Sequence, residues 1–186
     1  EAFSKTGGAL EMIQLWVNLP AKDKMNSARY QHLSHEAIPK LELAKAQGTV
    51  RGIAGPYENQ IGPAQTHSPM NVLDVQLTAG TKTVLPVSEG ETTLLYIRSG
   101  RLQLNSGEMI EAQQMAVMSN HGEDFEIKAV QDSAFLLLSG QPLNEPIYGR
   151  GYFVMNTFTE VLQAYEDLKQ GHFIAPSTKP NATDET

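Results

Sequence analysis

The sequence contains no cysteine, and this absence removes several kinds of site at once. Without a thiol the chain can form no disulfide, no thiolate metal site and no cysteine nucleophile. The longest strongly apolar run covers residues 134–138, far short of the roughly 20 residues that a membrane-spanning helix needs. The first residues are polar and do not resemble a signal peptide. These absences fit a reducing compartment and predict a cytoplasmic chain with no membrane segment.

Positive charge is also scarce, because 14 Lys and Arg stand against 21 Asp and Glu and give a net charge of −7. A surface of this sign repels a phosphate backbone, and no cluster of Lys and Arg offsets it, so direct binding to nucleic acid is disfavoured. The length of 186 residues and the hydrophobic share of 40% suit one globular domain, or one domain with a remnant of another.

Short alternating segments separated by Gly and Pro fill the first 150 residues. Leu73, Val75 and Leu77 fall on one face of a predicted strand, and Arg101 to Leu104 and Phe125 to Lys128 alternate in the same way. Residues 92–97 and 134–138 are more continuously apolar, as in strands that are covered on both faces. Many short strands with regular turns predict an all-β sandwich or barrel.

One helix is predicted near the end of the chain. An apolar stripe at helical spacing begins at Phe158 and ends at Leu168. Thr157 and Glu160 match a capping box, and Gly171 supplies the residue that ends a helix. The polar residues after Phe173 are expected to form a disordered tail at 174–186.

The first 47 residues differ from the middle of the chain. Residues 14–18 (QLWVN) read as a strand, whereas residues 20–47 are polar and predict little core beyond a possible short helix. A strand with no neighbour presents unpaired backbone groups that recruit other strands, so self-association of the chain is one expectation.

Several polar groups are weak candidates for a site. His32 and His35 with Glu36 have the spacing of helix-borne metal ligands, but no third ligand stands nearby, and a solvated connector is the alternative. His67 stands just before a strand, either at a barrel mouth or on the surface. The carboxylate pairs Glu89 with Glu91 and Glu123 with Asp124 fall in predicted turns, where solvated charge is the ordinary interpretation.

Three longer stretches resemble the pirin family. They are residues 11–20 (EMIQLWVNLP), 140–146 (GQPLNEP) and 151–157 (GYFVMNT), and the last differs from the family pattern in having Tyr152 where Pro is usual. Together with the helix, the resemblance covers about residues 7–173. Strings of this length in the right order are much more specific than a short motif.

The resemblance implies two cupin barrels in tandem, of which the first holds iron through three His and one Glu. Those motifs are missing from this sequence, so the resemblance implies that the chain is the rear half and starts at an internal residue. Glu1 is a candidate for the ligand glutamate, and the alternative places it a few residues beyond that ligand. Fe(II) is therefore expected in the full-length protein, and no cofactor is expected in this chain.

The remaining barrel fits the frame of the general cupin pattern but not its ligands. Gly80 and Gly100 occupy the two glycine positions of the first motif, and Gly107 fits the start of the second. The four positions at which a cupin carries its metal ligands hold Pro86, Ser88, Thr93 and Met118. Proline has no donor atom, hydroxyls are poor ligands unless deprotonated, and a thioether is a soft ligand for Fe(II). A metal-free barrel is the expectation.

The predicted organisation has four parts: a β-remnant of the first cupin at 1–47, a cupin barrel at 48–146, a segment with the helix at 147–173, and the tail at 174–186. The resemblance implies a protein-interaction or regulatory module whose partner is a transcription regulator or a metabolic enzyme. One alternative is a quercetin 2,3-dioxygenase-like enzyme whose active site lies in the front cupin. Another is a small apolar ligand in the barrel mouth, lined by Thr93, Tyr96 and Met118.

Overall fold

The structure is a computed structural model that describes residues 5–173. The elements that it describes from end to end include two 3₁₀ helices (Ala21–Asp23 and Ala44–Ala46), the α-helix α1 (Phe158–Gln170) and a set of short strands. In chain order the strands are β1 (Lys40–Glu42), β2 (Gly48–Ala54), β3 (Pro56–Tyr57), β4 (Gln60–Ile61), β5 (Met70–Leu77), β6 (Lys82–Pro86), β7 (Thr92–Ser99), β8 (Arg101–Leu104), β9 (Met109–Glu111), β10 (Met115–Val117), β11 (Asp124–Ala129), β12 (Ser133–Gly140), β13 (Tyr148–Arg150) and β14 (Phe153–Met155).

Two antiparallel sheets enclose the core. The larger sheet has the order β1-β2-β5-β12-β7-β10, and the smaller has the order β6-β11-β8-β9. Neighbours in each sheet are often distant in sequence, as in a jelly roll, where the chain crosses between sheets. This arrangement confirms the predicted all-β cupin barrel with a C-terminal helix. β1 lies ahead of the predicted boundary at residue 48 and pairs with β2.

The predicted alternation decides which side chains fill the barrel. Leu73, Val75 and Leu77 point inward from β5 and are buried, while Asp74 and Gln76 lie on its outer face. Buried and more exposed side chains alternate along β8 and β11, as the sequence predicts. The buried set includes Leu95, Ile97, Leu102, Ile127, Phe135 and Leu137. Burial of these side chains on a common interior is the main contribution to the stability of the barrel.

The outer face of the larger sheet is also apolar, but it is only partly covered. Leu136 and Leu138 on β12 are half-buried there, and Leu94 and Tyr96 on β7 lie beside them. Arg98 forms an ion pair on the same face with Asp74, at 2.7 Å, and a longer one with Glu11, at 3.6 Å. The second ion pair holds the N-terminal segment against the barrel exterior.

The prediction of a strand at residues 14–18 is wrong in this structure, which assigns neither helix nor strand there. A strand requires a neighbour for its backbone groups, and no described strand pairs with this segment. Its side chains remain largely exposed. Between residues 20 and 47 the sequence predicts one short helix. The structure has the two 3₁₀ helices named above in its place.

α1 begins and ends as predicted. Thr157 Oγ1 accepts from the backbone N–H of Glu160, the Glu160 carboxylate accepts from the N–H of Thr157, and Gly171 adopts φ 76°. The predicted apolar stripe is only partly correct, because the buried residues are Val161 and Ala164. The helix packs mainly on the hairpin of β13 and β14. Within residues 5–173, no helix has the length and apolar character that crossing a bilayer requires.

Candidate functional site

The degenerate cupin positions cluster at one end of the barrel. Thr93 faces inward from β7 and is 2% exposed. The backbone N–H of Met118 donates to the carbonyl of Thr93 at 2.9 Å, and the Met118 side chain packs against the core. Pro86 ends β6 opposite Asp124, and both Pro86 and Ser88 are exposed. The structure therefore brings Thr93 and Met118 together and leaves the other two at the rim.

Tyr96 is separated from this pair by the pleat of β7. Thr93, Leu95 and Ile97 point into the barrel, so Tyr96 must point to the outer face of the sheet. The predicted lining of Thr93, Tyr96 and Met118 therefore does not converge on one cavity. A period-two count from Thr93 would have placed Tyr96 outside.

This donor set does not fit iron. A non-haem Fe(II) site needs imidazoles and a carboxylate on one side, and this one offers a proline ring, two hydroxyls and a thioether. Among residues 5–173, no group of three or more His, Cys, Asp or Glu side chains lies close enough to hold a metal ion. Glu1, the predicted candidate for the lost iron ligand, lies outside the described residues.

Glu91 differs from its predicted setting. It is 6% exposed and directly precedes β7, whereas the nearby Glu89 is exposed as a turn residue should be. The backbone N–H of Ser88 donates to Glu91 Oε2 at 3.5 Å. The sequence signal was available, because Glu91 continues the alternation of Thr93 and Leu95 by one step. A single carboxylate near hydroxyls still does not complete a metal site.

The histidine candidates lie on the surface. His32 and His35 are exposed and are not on a helix, so the predicted shared face does not form. The pKa of the nearby Glu36 carboxyl is lowered because its own backbone N–H and the Ser34 side chain donate to it. His67 Nδ1 lies 3.7 Å from Asp23 Oδ1 and links the loop before β5 to the first 3₁₀ helix.

A second locus joins the three stretches that carry the family resemblance. Glu145 Oε2 accepts from the backbone N–H of Ala21 at 2.7 Å and from Asn156 Nδ2 at 3.1 Å. Lys24 Nζ donates to Asn18 Oδ1 at 2.6 Å and to the carbonyl of Val154 at 3.0 Å. We call this set the junction. It ties the N-terminal segment to the hairpin and helix, and only the family resemblance could have pointed to it.

The junction borders an apolar cleft of about 560 Å³. Trp16, Val17 and Leu19 form one wall, the hairpin strand β14 contributes Phe153 to Met155, and α1 contributes Ala164 and Asp167. The exposed rings of Trp16 and Tyr152 also line it. None of the predicted pocket residues of the barrel mouth lies in this cleft.

Replacing Glu145 by alanine is expected to lower the free energy of unfolding by about 1–3 kcal/mol, since a charged acceptor is lost and two donors are left without it. The increase in hydrogen exchange should be largest around Ala21 and Asn156. Glu89→Ala, which removes an exposed turn carboxylate, should change stability by less than about 0.5 kcal/mol. If urea titrations gave the same change in the free energy of unfolding for both variants, the hydrogen bonds of the junction would contribute nothing to stability.

The comparisons with known proteins agree with this architecture. The model of the pirin C-terminal cupin domain matches residues 72–174. A Pseudomonas aeruginosa protein, provisionally named a quercetin 2,3-dioxygenase, is 45% identical over 94% of this chain and 60% of its own length. Human pirin is 35% identical over 84% of this chain and 55% of its own length.

A crystal structure of quercetin 2,3-dioxygenase from Acinetobacter baumannii superimposes with a TM-score of 0.81 at 42% identity, covering 85% of this chain and 55% of that one. The chain thus spans about three-fifths of the length of the curated relatives that it matches. The family model covers more than half of the chain, and the stretches that carry the resemblance meet in space at the junction. On this basis the chain belongs to the pirin family.

Proposed function

We propose that this chain is the metal-free cupin half of a longer pirin-family protein and acts as a protein-interaction or regulatory module. One observation carries the proposal: the positions at which a cupin holds its metal carry Pro86, Ser88, Thr93 and Met118, and the barrel interior around them is packed with apolar side chains. A barrel of this kind offers surfaces to partners and no set of metal ligands.

The exposed N-terminal segment supports a docking role. Leu10, Met12, Ile13 and Leu15 are large apolar side chains that lie open to solvent close to one another in sequence. Several large apolar side chains exposed within one short segment favour an interaction site. We propose that the preceding part of the parent protein covers it, since the matching family model is that of a C-terminal domain and the relatives are longer.

The identity of further partners rests on the family resemblance. A transcription regulator or a metabolic enzyme is the proposed class of protein partner. Self-association remains a second proposal, now through exposed side chains, because residues 14–18 do not form a strand. The net charge of −7 continues to disfavour nucleic acid.

The second candidate function is enzymatic. Relatives named as quercetin 2,3-dioxygenases favour it, and in this proposal the Fe(II) site lies in the front cupin of the parent protein. The present chain would then support the active domain without touching substrate. A small apolar ligand at the barrel mouth is a third proposal, with Thr93 and Met118 as its remaining lining.

Oxygen uptake with quercetin and Fe(II) separates the first two proposals. We expect no uptake above background with this chain, and uptake by the parent protein would support the enzymatic function of its front half. Specific capture of a protein partner by this chain alone would support the docking function. Quercetin consumption by the chain alone at enzymatic rates would contradict both.

A further inference from the structure

The cleft beside the junction has the dimensions and lining of a small-molecule site. Its volume of about 560 Å³ lies within the roughly 300–1,000 Å³ that is usual for such sites. Aromatic side chains line it from three parts of the chain: Trp16 from the N-terminal segment, Tyr152 and Phe153 from the hairpin, and Phe173 after the helix. A planar ring gains apolar contact and ring–ring interactions on such a surface.

Lys24 gives this cleft a positive charge that is not neutralised by a direct ion pair. Its ammonium donates to two neutral oxygens, Asn18 Oδ1 and the Val154 carbonyl. An ammonium has three donors, so one remains for a ligand. Among the described carboxylates, none lies within 4.0 Å of Lys24 Nζ.

The two acidic residues of the lining already have partners. Glu160 Oε2 accepts from the backbone N–H groups of Asn156 and Thr157 at the helix start. Asp167 Oδ1 accepts from Gln163 Nε2 at 2.7 Å. Because these donors are neutral, both carboxylates keep their negative charge, and they outnumber the one ammonium of the lining. Lys24 is the group of the lining with a charged donor left over, so a ligand oxygen that carries negative charge is favoured only in direct contact with it.

We propose that this cleft binds small planar aromatic carboxylates, with the ring against the aromatic lining and the carboxylate on Lys24. The site is distinct from the barrel mouth. Because the whole chain carries a net charge of −7, its overall field opposes anions. A preference for the anionic ligand must therefore come from the local charge of Lys24.

Trp16 is the single tryptophan of the chain, so its indole N–H gives one identifiable NMR cross-peak inside the proposed site. We would titrate the 186-residue chain with 2-naphthoate and with its neutral analogue 2-naphthamide. Saturable shifts of this cross-peak are expected with both ligands. Naphthoate should bind about fivefold more tightly, as a partly exposed charge pair allows.

Two sets of variants separate the contribution of the Lys24 charge to binding from that of the aromatic lining. Lys24→Met should abolish the preference for naphthoate, whereas Lys24→Arg should keep it, and Lys22→Met, at an exposed neighbouring lysine, should leave it unchanged. Tyr152→Ser should weaken both ligands about three- to tenfold, while Tyr30→Ser, at an exposed tyrosine outside the lining, should not.

Amide spectra of each variant show whether it folds. The proposal is overturned if the Trp16 cross-peak does not respond saturably, or if both ligands bind equally to the wild-type chain. It is also overturned if a folded Lys24→Met variant keeps the preference for naphthoate.

Discussion

Replacement of Gly100 by alanine is expected to destabilise the barrel by about 2–5 kcal/mol. Gly100 has φ 82°, a left-handed conformation that costs other residues about 1–2 kcal/mol. An added Cβ would also overlap the carbonyl of Asp132 and the Ser133 side chain, and would lie 2.7 Å from Ser133 Cα. Forcing extra volume against backbone adds roughly 1–3 kcal/mol.

The crowding at Gly100 has a clear structural cause. Ser133 Oγ accepts from the backbone N–H of Arg101 at 3.0 Å and donates to the Gln131 carbonyl at 2.7 Å. The start of β12 is therefore fixed directly against the turn between β7 and β8. Neither backbone can move aside without breaking these hydrogen bonds.

Gly80 supplies the matched control, because it is the other glycine of the same cupin motif. Its φ of 84° is nearly the same, but nothing lies within 4 Å of the position that a Cβ would take. Gly80→Ala should therefore cost only the conformational term of about 1–2 kcal/mol. Urea unfolding of both variants measures the difference, and equal losses would contradict the close packing at Gly100.

Replacement of Phe153 by alanine is expected to cost about 3–5 kcal/mol, the usual range for a buried aromatic ring. Phe153 is 6% exposed and meets Tyr165 edge-on at 4.8 Å between ring centroids and Phe173 at 5.0 Å. These contacts attach α1 to the hairpin. Amides of α1 should then exchange roughly a hundredfold faster or more.

The location of the effect is as informative as its size. Because α1 packs mainly on β13 and β14, exchange in β5, β7 and β12 should change much less. Tyr152→Ala is the control, since the adjacent ring is 82% exposed and should contribute less than about 0.5 kcal/mol. Uniform acceleration across barrel and helix would show that the two parts unfold as one unit.

The sequence predicts those features that depend on local pattern. The alternation of Leu73, Val75 and Leu77 fixes the inward face of β5, because a strand turns successive side chains to opposite sides. The capping box at Thr157 and Glu160 is equally local, since both partners lie within one helical turn. The degenerate ligand positions follow from spacing alone once the cupin frame is assigned.

The features that the sequence does not predict depend on contacts between distant segments. A strand at residues 14–18 would need a neighbouring strand to pair with. The β-propensity of these residues could not reveal that the described part of the chain provides no such neighbour. Which residues of α1 are buried depends on where the hairpin lies, so the stripe containing Phe158 and Leu162 is half open to solvent. The junction joins Ala21 to Glu145, and no local pattern indicates a contact of that separation.

The absence of a metal site from this barrel underlies the proposed function. Equilibrium dialysis of the chain against Fe(II) under anaerobic conditions, followed by metal analysis on both sides of the membrane, tests it directly. We expect the same iron concentration on both sides, because Pro86, Ser88, Thr93 and Met118 do not provide the ligands that iron requires. Retention of about one iron per chain would contradict it.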